Sequence, residues 1–132
     1  MSELTAQTFA DRIADLGLAE RPDVDHAIGE LGAGEHSLED MIRVMQRRGI
    51  ITTLQTEKIL KGDRAGYFYG DYKVLYLIGA GTFARVYRAD KKGDESGNIY
   101  AVKVLRKRFR DEIKELEQFL REGSMGLKLR HP

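Results

Sequence analysis

The sequence predicts an α+β fold, in which a small helical N-terminal domain is followed by an antiparallel sheet and one further helix. Two observations support this prediction. Apolar residues recur at helical spacing through the first part of the chain, and beyond a short polar joint they alternate as in strands. This change of period predicts a helical domain at 1–62, a linker at 63–71, and the sheet with its helix at 72–132.

Two amphipathic helices are predicted at the start of the helical domain. Phe9, Ile13 and Leu16 fall on one helical face, and a glycine follows them directly. Apolar residues recur at the same spacing between positions 24 and 31, after Pro22 and before another glycine. Both segments therefore carry one apolar stripe that can face a common core.

Two further helices are predicted from capping signals. Ser37 with Asp40, and Thr52 with Gln55, have the spacing in which a hydroxyl and an acidic or amide side chain satisfy the first free N–H groups of a helix. The third helix ends at the glycine of position 49, and the fourth runs to about Lys61. The fourth lacks a clean apolar stripe, so its face toward the core is not predicted.

The second part of the chain reads as a meander followed by a helix. Strands are predicted at about 72–78, 84–90 and 98–105, with a polar, glycine-containing turn at 91–98. A helix is predicted from about Asp111, and its apolar side consists of Ile113, Leu116, Phe119 and Leu120. The basic run at 106–110 before it is interpreted as a solvated connection, with binding to a partner as the less favoured alternative.

Composition excludes several functional classes. The 22 basic and 21 acidic residues nearly cancel, so net charge predicts neither a nucleic-acid partner nor an anionic membrane. The absence of cysteine excludes disulfides and thiolate metal sites, and the three histidines lack metal-ligand spacing, so no metal site is predicted. No apolar run approaches the roughly 18 residues of a membrane span. The expected location is cytoplasmic.

A glycine-rich loop follows the first strand of the meander and needs a physical reason, because glycine is entropically costly in a strand. The segment GAGTFARV at 79–86 presents backbone N–H groups with few side chains in the way, which suits phosphate oxygens. In dinucleotide folds and P-loops the glycines run into a helix, whereas this loop returns into a strand. The loop also lacks the Gly-Lys-Ser/Thr ending of a P-loop, so neither a dinucleotide fold nor a P-loop is favoured.

This half of the sequence resembles the N-terminal lobe of eukaryotic-like serine/threonine protein kinases, of the kind that bacteria also carry. The family's loop Gly-x-Gly-x-x-Gly-x-Val is matched by Gly79, Gly81 and Val86, with Ala84 in place of the third glycine. The segment YAVKVL at 100–105 is similar to the Val-Ala-Ile-Lys of the family's lysine strand. The resemblance covers about residues 67–132 and implies an incomplete kinase N-lobe that ends with the family's C-helix.

The resemblance also implies roles for individual residues. Lys103 would hold the nucleotide's phosphates and pair with a glutamate of the following helix. Because it interrupts an apolar strand, we expect its ammonium to be buried and to need an anionic partner. Glu122, 19 positions after Lys103, is the expected partner, and Glu115 on roughly the same helical face is the competing candidate. The residues implied to contact ATP are Ile78, Gly79, Ala80, Gly81, Thr82, Phe83, Ala84, Val86, Ala101 and Lys103.

ATP and Mg²⁺ are the implied cofactors, and proteins are the implied substrates. The family's His-Arg-Asp and Asp-Phe-Gly motifs, which supply the catalytic and metal-binding aspartates, are absent from the sequence. We therefore expect a truncated lobe that is inactive by itself, from a parent that transfers the ATP γ-phosphoryl group to serine or threonine. The alternative is a helical interaction or sensor module attached to a pseudokinase, acting by binding only. An unpaired edge of the third strand predicts self-association or strand exchange between copies.

Overall fold

The computed structural model describes residues 4–122, and within them it confirms an α+β fold. The helices are Ala6–Asp15 (α1), Arg21–Glu30 (α2), Leu38–Arg47 (α3), Thr53–Leu60 (α4) and Lys107–Arg121 (α5). The strands are Phe68–Tyr69 (β1), Tyr72–Ala80 (β2), Ala84–Lys91 (β3) and Tyr100–Leu105 (β4). They form one antiparallel sheet in the order β1-β2-β3-β4.

The four predicted helices of the first domain are confirmed, and their caps show why they begin where they do. At α4 the full capping box is present, with Thr52 and Gln55 each accepting a hydrogen bond from the other's backbone N–H. At α3 only half of it forms, because the Ser37 hydroxyl accepts from the Asp40 N–H while the Asp40 carboxylate accepts from Arg43. Both helices are therefore fixed at their N-termini by local bonds.

A single apolar core lies between these helices. The predicted stripes of α1 and α2 face it, and in α4 the residues turned inward are Gln55, Thr56 and Ile59. Burial of such side chains contributes on the order of 1.5–3 kcal/mol for each large one. The largest fully buried apolar side chains of the core are Phe9, Ile13, Met41, Met45, Ile59, Val24 and Val44.

The segment expected to be a linker is packed against the helices. Tyr67 is only 3% exposed and belongs to the helical core, and its hydroxyl donates to the Asp63 carbonyl at 2.7 Å. Directly after it, β1 pairs with the start of β2. The ammonium of Lys73 on β2 donates to the Leu18 carbonyl of the α1–α2 loop at 3.3 Å. Helices and sheet are therefore joined through this segment.

Gln55 makes the most buried polar link between the helices and the sheet. Its side chain is 2% exposed, and its Nε2 donates to the Val74 carbonyl at 2.8 Å while its Oε1 accepts from the Thr52 N–H. The Val74 N–H donates to the Tyr67 carbonyl at 2.9 Å, on the same side of β2. One glutamine thus completes a helix cap and also satisfies the edge of β2 just beyond its pairing with β1.

The three predicted strands are confirmed, with ends that differ from the prediction by no more than two positions. Among the strands of residues 4–122, only the two-residue β1 was not predicted. β2 carries two register shifts against β3, one between Val74 and Tyr76 and the other between Leu77 and Gly79. Such irregularities increase the local twist of a strand. The hairpin tip is therefore twisted relative to the part of β2 that meets the helices.

α5 begins at Lys107, earlier than the predicted start near Asp111, so 107–110 is helical and the prediction of a connection there was wrong. The side chains of Lys107, Arg108 and Arg110 are exposed, as predicted. Arg106 is its N-cap residue. No residue of this helix is buried among the described residues, and Ile113 and Leu116 on its apolar side are 43% and 50% exposed. Its predicted apolar side is thus largely open to solvent.

The β3–β4 turn is organised by Asp94. Its carboxylate accepts hydrogen bonds from the Ser96 hydroxyl, the Tyr100 hydroxyl and the Ser96 N–H, which lower the pKa of Asp94 from 3.8 to about 2. The hydrogen bond to Asp94 also raises the pKa of Tyr100. The turn therefore stabilises the ionised form of the Asp94 carboxylate.

We predict that Gln55→Ala lowers the free energy of unfolding by about 2 kcal/mol, because it leaves the Val74 carbonyl without its buried donor and removes part of the α4 cap. Urea unfolding followed by circular dichroism measures the change. Gln7→Ala is the matched control, since Gln7 is an exposed glutamine of α1 whose side chain, among the described residues, bonds Asp11 alone. Equal midpoints for wild type and Gln55→Ala would contradict the proposed link.

We predict that the Asp94 turn makes the stability of the fold depend on pH. A folded-state pKa below the unfolded value gives stability that is present above about pH 4 and is lost as pH falls toward 2. Asp94→Asn should therefore melt at a lower temperature than wild type at pH 5, and the difference should shrink as pH falls toward 2. Glu95→Gln, at the next position of the same turn, is the control. An Asp94→Asn difference that is independent of pH would exclude this role for the carboxylate.

Candidate functional site

One face of the sheet brings together several of the predicted site residues. Val86 on β3 lies opposite Gly79 on β2 and opposite Lys103 on β4. Residues two apart on a strand share a face, so Ala84 and Ala101 belong to the same face as these three. The predicted hairpin is confirmed, and the lysine strand lies directly beside it.

The loop between β2 and β3 is short and exposed. The Gly81 N–H donates to the Ala84 carbonyl at 2.9 Å, which closes the turn over Thr82 and Phe83. Ile78 and Phe83 are each 61% exposed, and Ala80 and Thr82 are exposed as well. The remaining predicted contact residues are therefore at the surface and accessible to a ligand.

The fold itself does not require glycine at positions 79 and 81. Neither residue has a positive φ, in contrast to Gly93 in the next turn, at +83°. A Cβ built on Gly79 meets nothing within 4 Å, and one on Gly81 meets the Ala84 carbonyl at 3.8 Å, an ordinary contact. Since alanine fits at both positions, the missing side chains leave room for something that approaches the loop from outside.

Lys103 is exposed, so the expectation that its ammonium is buried was wrong. The alternation of β4 places it on the same face as Ala101, which is exposed too. Within residues 4–122 its side chain makes no ion pair and no hydrogen bond. It is thus an uncompensated positive charge beside the glycine loop, where it can attract an anion at a smaller desolvation cost than a buried cation.

Glu122 is not brought to Lys103 in this structure. It follows the last turn of α5, and its carboxylate accepts a hydrogen bond from Gln118 at 3.0 Å. A helix of this length places it about 22 Å from the first residue of α5. Glu115 is also exposed, and neither glutamate pairs with Lys103 in the described part of the chain. The ion pair of the expected site is therefore not formed here.

Two residues that the sequence interpretation did not assign to the site contact the loop. The N–H of Arg106 donates to the Phe83 carbonyl at 2.8 Å, and its Nε donates to the Gly81 carbonyl at 2.9 Å. The rings of Phe83 and Phe109 lie 4.6 Å apart. The available signal was Phe109 itself, an aromatic residue inside a basic run, with an exposed aromatic residue in the loop as its partner.

Comparison with known proteins finds sequence similarity to kinases over part of the chain. The chain is 36% identical over 72 residues to a RAC family serine/threonine-protein kinase homolog of Dictyostelium discoideum, covering 54% of this chain and 15% of that protein. It is 36% identical over 80 residues to serine/threonine-protein kinase AtPK1/AtPK6 of Arabidopsis thaliana, covering 58% and 17%. It is 41% identical over 61 residues to serine/threonine-protein kinase fused of Drosophila melanogaster, covering 46% and 7%. The chain is related to serine/threonine kinases over part of its length.

The extent of this relationship is limited. The chain spans less than a fifth of the length of each of these kinases. All three relatives come from eukaryotes, so the bacterial membership expected from the resemblance has no support from them. No protein-family model matches the chain, and no solved structure matches it. The fold is consistent with part of a kinase N-lobe.

Residues 4–122 contain neither a metal-binding cluster nor a membrane-spanning helix. Between positions 4 and 122 no group of three or more histidine, aspartate or glutamate side chains is arranged to hold a metal ion. No helix in that range is long and apolar enough to cross a membrane. The cytoplasmic location remains a prediction.

Whether the fold tolerates a side chain at positions 79 and 81 can be tested without a ligand. Gly79→Ala and Gly81→Ala should leave the free energy of unfolding unchanged or raise it by up to about 1 kcal/mol, because alanine fits and restricts the unfolded chain. Gly93→Ala, at φ +83°, should lower it by about 1–2 kcal/mol. Thermal melting of the three variants provides the comparison. A loss at position 79 or 81 as large as that at 93 would show that the fold requires these glycines.

Proposed function

We propose that the face formed by the glycine loop and Lys103 binds ATP, and that the whole protein transfers the γ-phosphoryl group of ATP to serine or threonine residues of proteins. The proposal rests on two glycines that the fold does not require, beside a lysine on β4 that has no partner within residues 4–122. The partial similarity to serine/threonine kinases supports the same activity.

Each part of the face has a proposed role. Backbone N–H groups of 79, 80 and 82–84 hold phosphate oxygens, while that of Gly81 closes the turn. The absence of side chains at Gly79 and Gly81 lets the phosphates approach. The ammonium of Lys103 binds phosphate oxygens by charge-assisted hydrogen bonds. Ile78, Val86 and Ala101 offer apolar surface to the base. The site needs no change in the sheet to accept the nucleotide, because the face is already open.

Pairing of Lys103 with Glu122 is proposed for the catalytically competent arrangement of the whole protein. It requires the C-terminal end of α5 to move toward Lys103, since no described contact joins Glu122 to that lysine in the present arrangement. The exposed apolar side of α5 shows that few described contacts oppose such a movement. An ion pair would fix the lysine toward the phosphates and reduce its conformational freedom.

Mg²⁺ accompanies ATP in this proposal, but its protein ligands are not assigned. The described residues hold no suitable cluster, and the sequence contains neither His-Arg-Asp nor Asp-Phe-Gly. We propose that residues 1–132 bind nucleotide without transferring phosphate. Magnesium would neutralise charge on the phosphates when bound with ATP.

A second candidate function is that of a binding module attached to a pseudokinase. The separation of Lys103 from Glu122 favours it, because this structure lacks the ion pair on which the kinase reading depends. β4 is an edge strand, paired only with β3 among the described residues, so strand pairing between copies is part of this candidate. A protein that binds no nucleotide but self-associates would fit this second function.

Calorimetric titration of residues 1–132 with Mg-ATP tests the binding proposal. Lys103→Met should raise the Kd by about tenfold or more, because a hydrogen bond to a charged group contributes about 1.5–3 kcal/mol. Lys92→Met is the control, as Lys92 is an exposed lysine of the β3–β4 turn. The proposal fails if the wild type does not bind, or if the Lys103 and Lys92 variants bind equally well.

For the whole protein, the matching experiment is a phosphorylation assay with wild type and Lys103→Met. Incorporation of labelled phosphate into a serine/threonine substrate should be lost in the variant, while the Lys92→Met protein keeps it. Equal activity of wild type and Lys103→Met would rule out the assigned role of this lysine.

A further inference from the structure

The start of α5 holds the glycine loop from outside, and we propose that Arg106 and Phe109 are positioning residues that couple this helix to the loop. We call these two residues, with the Gly81 and Phe83 groups that they contact, the loop latch. The inference rests on the proposed function for its consequence, nucleotide binding, but the latch itself is defined by contacts within the protein. Its ligand-independent and ligand-dependent effects can therefore be separated.

Of the residues in the basic run at 106–110, Arg106 and Phe109 are the ones that contact the loop. Arg106 contacts two loop carbonyls and Phe109 contacts the Phe83 ring, whereas the guanidinium of Arg108 lies near Glu112 and the ring of Phe109. The side chain of Arg110 makes no contact with the loop among the described residues. Charge alone therefore does not explain the contact, and the first turn of α5 places two particular side chains on the loop.

The latch sets the direction in which loop N–H groups point. In a trans peptide the C=O of one residue and the N–H of the next point in opposite directions. Because Arg106 holds the carbonyls of Gly81 and Phe83, the N–H groups of Thr82 and Ala84 are turned away from α5. These are two of the groups proposed to bind phosphate, and their orientation depends on a helix outside the loop.

The turn does not need the latch in order to close. The bond from the Gly81 N–H to the Ala84 carbonyl already joins its two ends. Arg106→Ala should thus leave the hairpin folded, because the Arg106 N–H keeps its bond to the Phe83 carbonyl. The Gly81 carbonyl alone loses its donor, so the turn should open more often. By linkage, if a displaced α5 weakens phosphate binding, then bound phosphate must equally favour the latched position of α5. The position of α5 and the occupancy of the loop are thereby connected.

Amide hydrogen exchange of the nucleotide-free protein tests the latch first. Arg106→Ala and Phe109→Leu should each speed exchange of the Gly81 amide by about tenfold, and Arg110→Ala should not. The double variant Phe83→Leu/Phe109→Leu should exchange no faster than Phe109→Leu alone, because both changes remove the same ring contact. Unchanged exchange in Arg106→Ala and Phe109→Leu, or an equal increase in Arg110→Ala, would overturn the latch.

Mg-ATP titration of the same variants tests its consequence. If the latch orients the loop, Arg106→Ala should bind Mg-ATP several-fold more weakly than Arg110→Ala, with an unchanged melting temperature without ligand. Faster exchange with unchanged affinity would overturn the coupling to nucleotide binding. A wild type that binds no Mg-ATP would instead refute the proposed function. The exchange measurement alone would then determine whether Arg106 and Phe109 restrain the loop.

Discussion

The attachment of β2 to the helices at Val74 is the constraint on which the rest of the structure depends. Val74 is 1% exposed, and both of its peptide groups are used on the side of β2 that faces away from β3, the N–H toward Tyr67 and the carbonyl toward Gln55. Gln55 at the same time completes the cap of α4. A buried carbonyl without a partner costs about 1–3 kcal/mol, so this bond fixes the register between helices and sheet.

From this anchor the sheet extends toward a more open end. β2 continues through two register shifts to the glycine loop, and the residues on the loop side of the sheet become progressively more exposed. At that end the loop is held by Arg106 and Phe109 rather than by a packed core. The molecule therefore combines a rigid attachment at one end of the hairpin with a polar and aromatic contact at the other, where the proposed ligand binds.

Local patterns predicted most of the elements, because their causes are local. The caps at Ser37 and Thr52 satisfy N–H groups a few residues away, and the alternation of β2, β3 and β4 reflects the pleat of each strand. The two-residue β1 is too short to show a period. The start of α5 was not predicted, because cations at a helix N-terminus interact unfavourably with the helix dipole. The helix nevertheless begins there, since the bonds of Arg106 to the loop stabilise its first turn.

The site was predicted only where it depends on neighbouring strands. The loop and its neighbouring lysine could be placed because register follows from consecutive strands joined by short connections. The burial of Lys103 and its pairing with Glu122 depend on what covers the face and where α5 lies, and neither is encoded in the period of β4. Hydrophobic neighbours in sequence do not by themselves bury a side chain on an open sheet face.

The most direct measurement of the central claim is a map of backbone amide shifts by NMR while Mg-ADP, and separately adenosine, is added to the protein. If the bare loop and its lysine form a phosphate site, Mg-ADP should move the amides of Gly79 to Ala84 and the neighbouring Lys103 far more than adenosine does. Shifts confined to the helical residues, or none with either compound, would contradict the account.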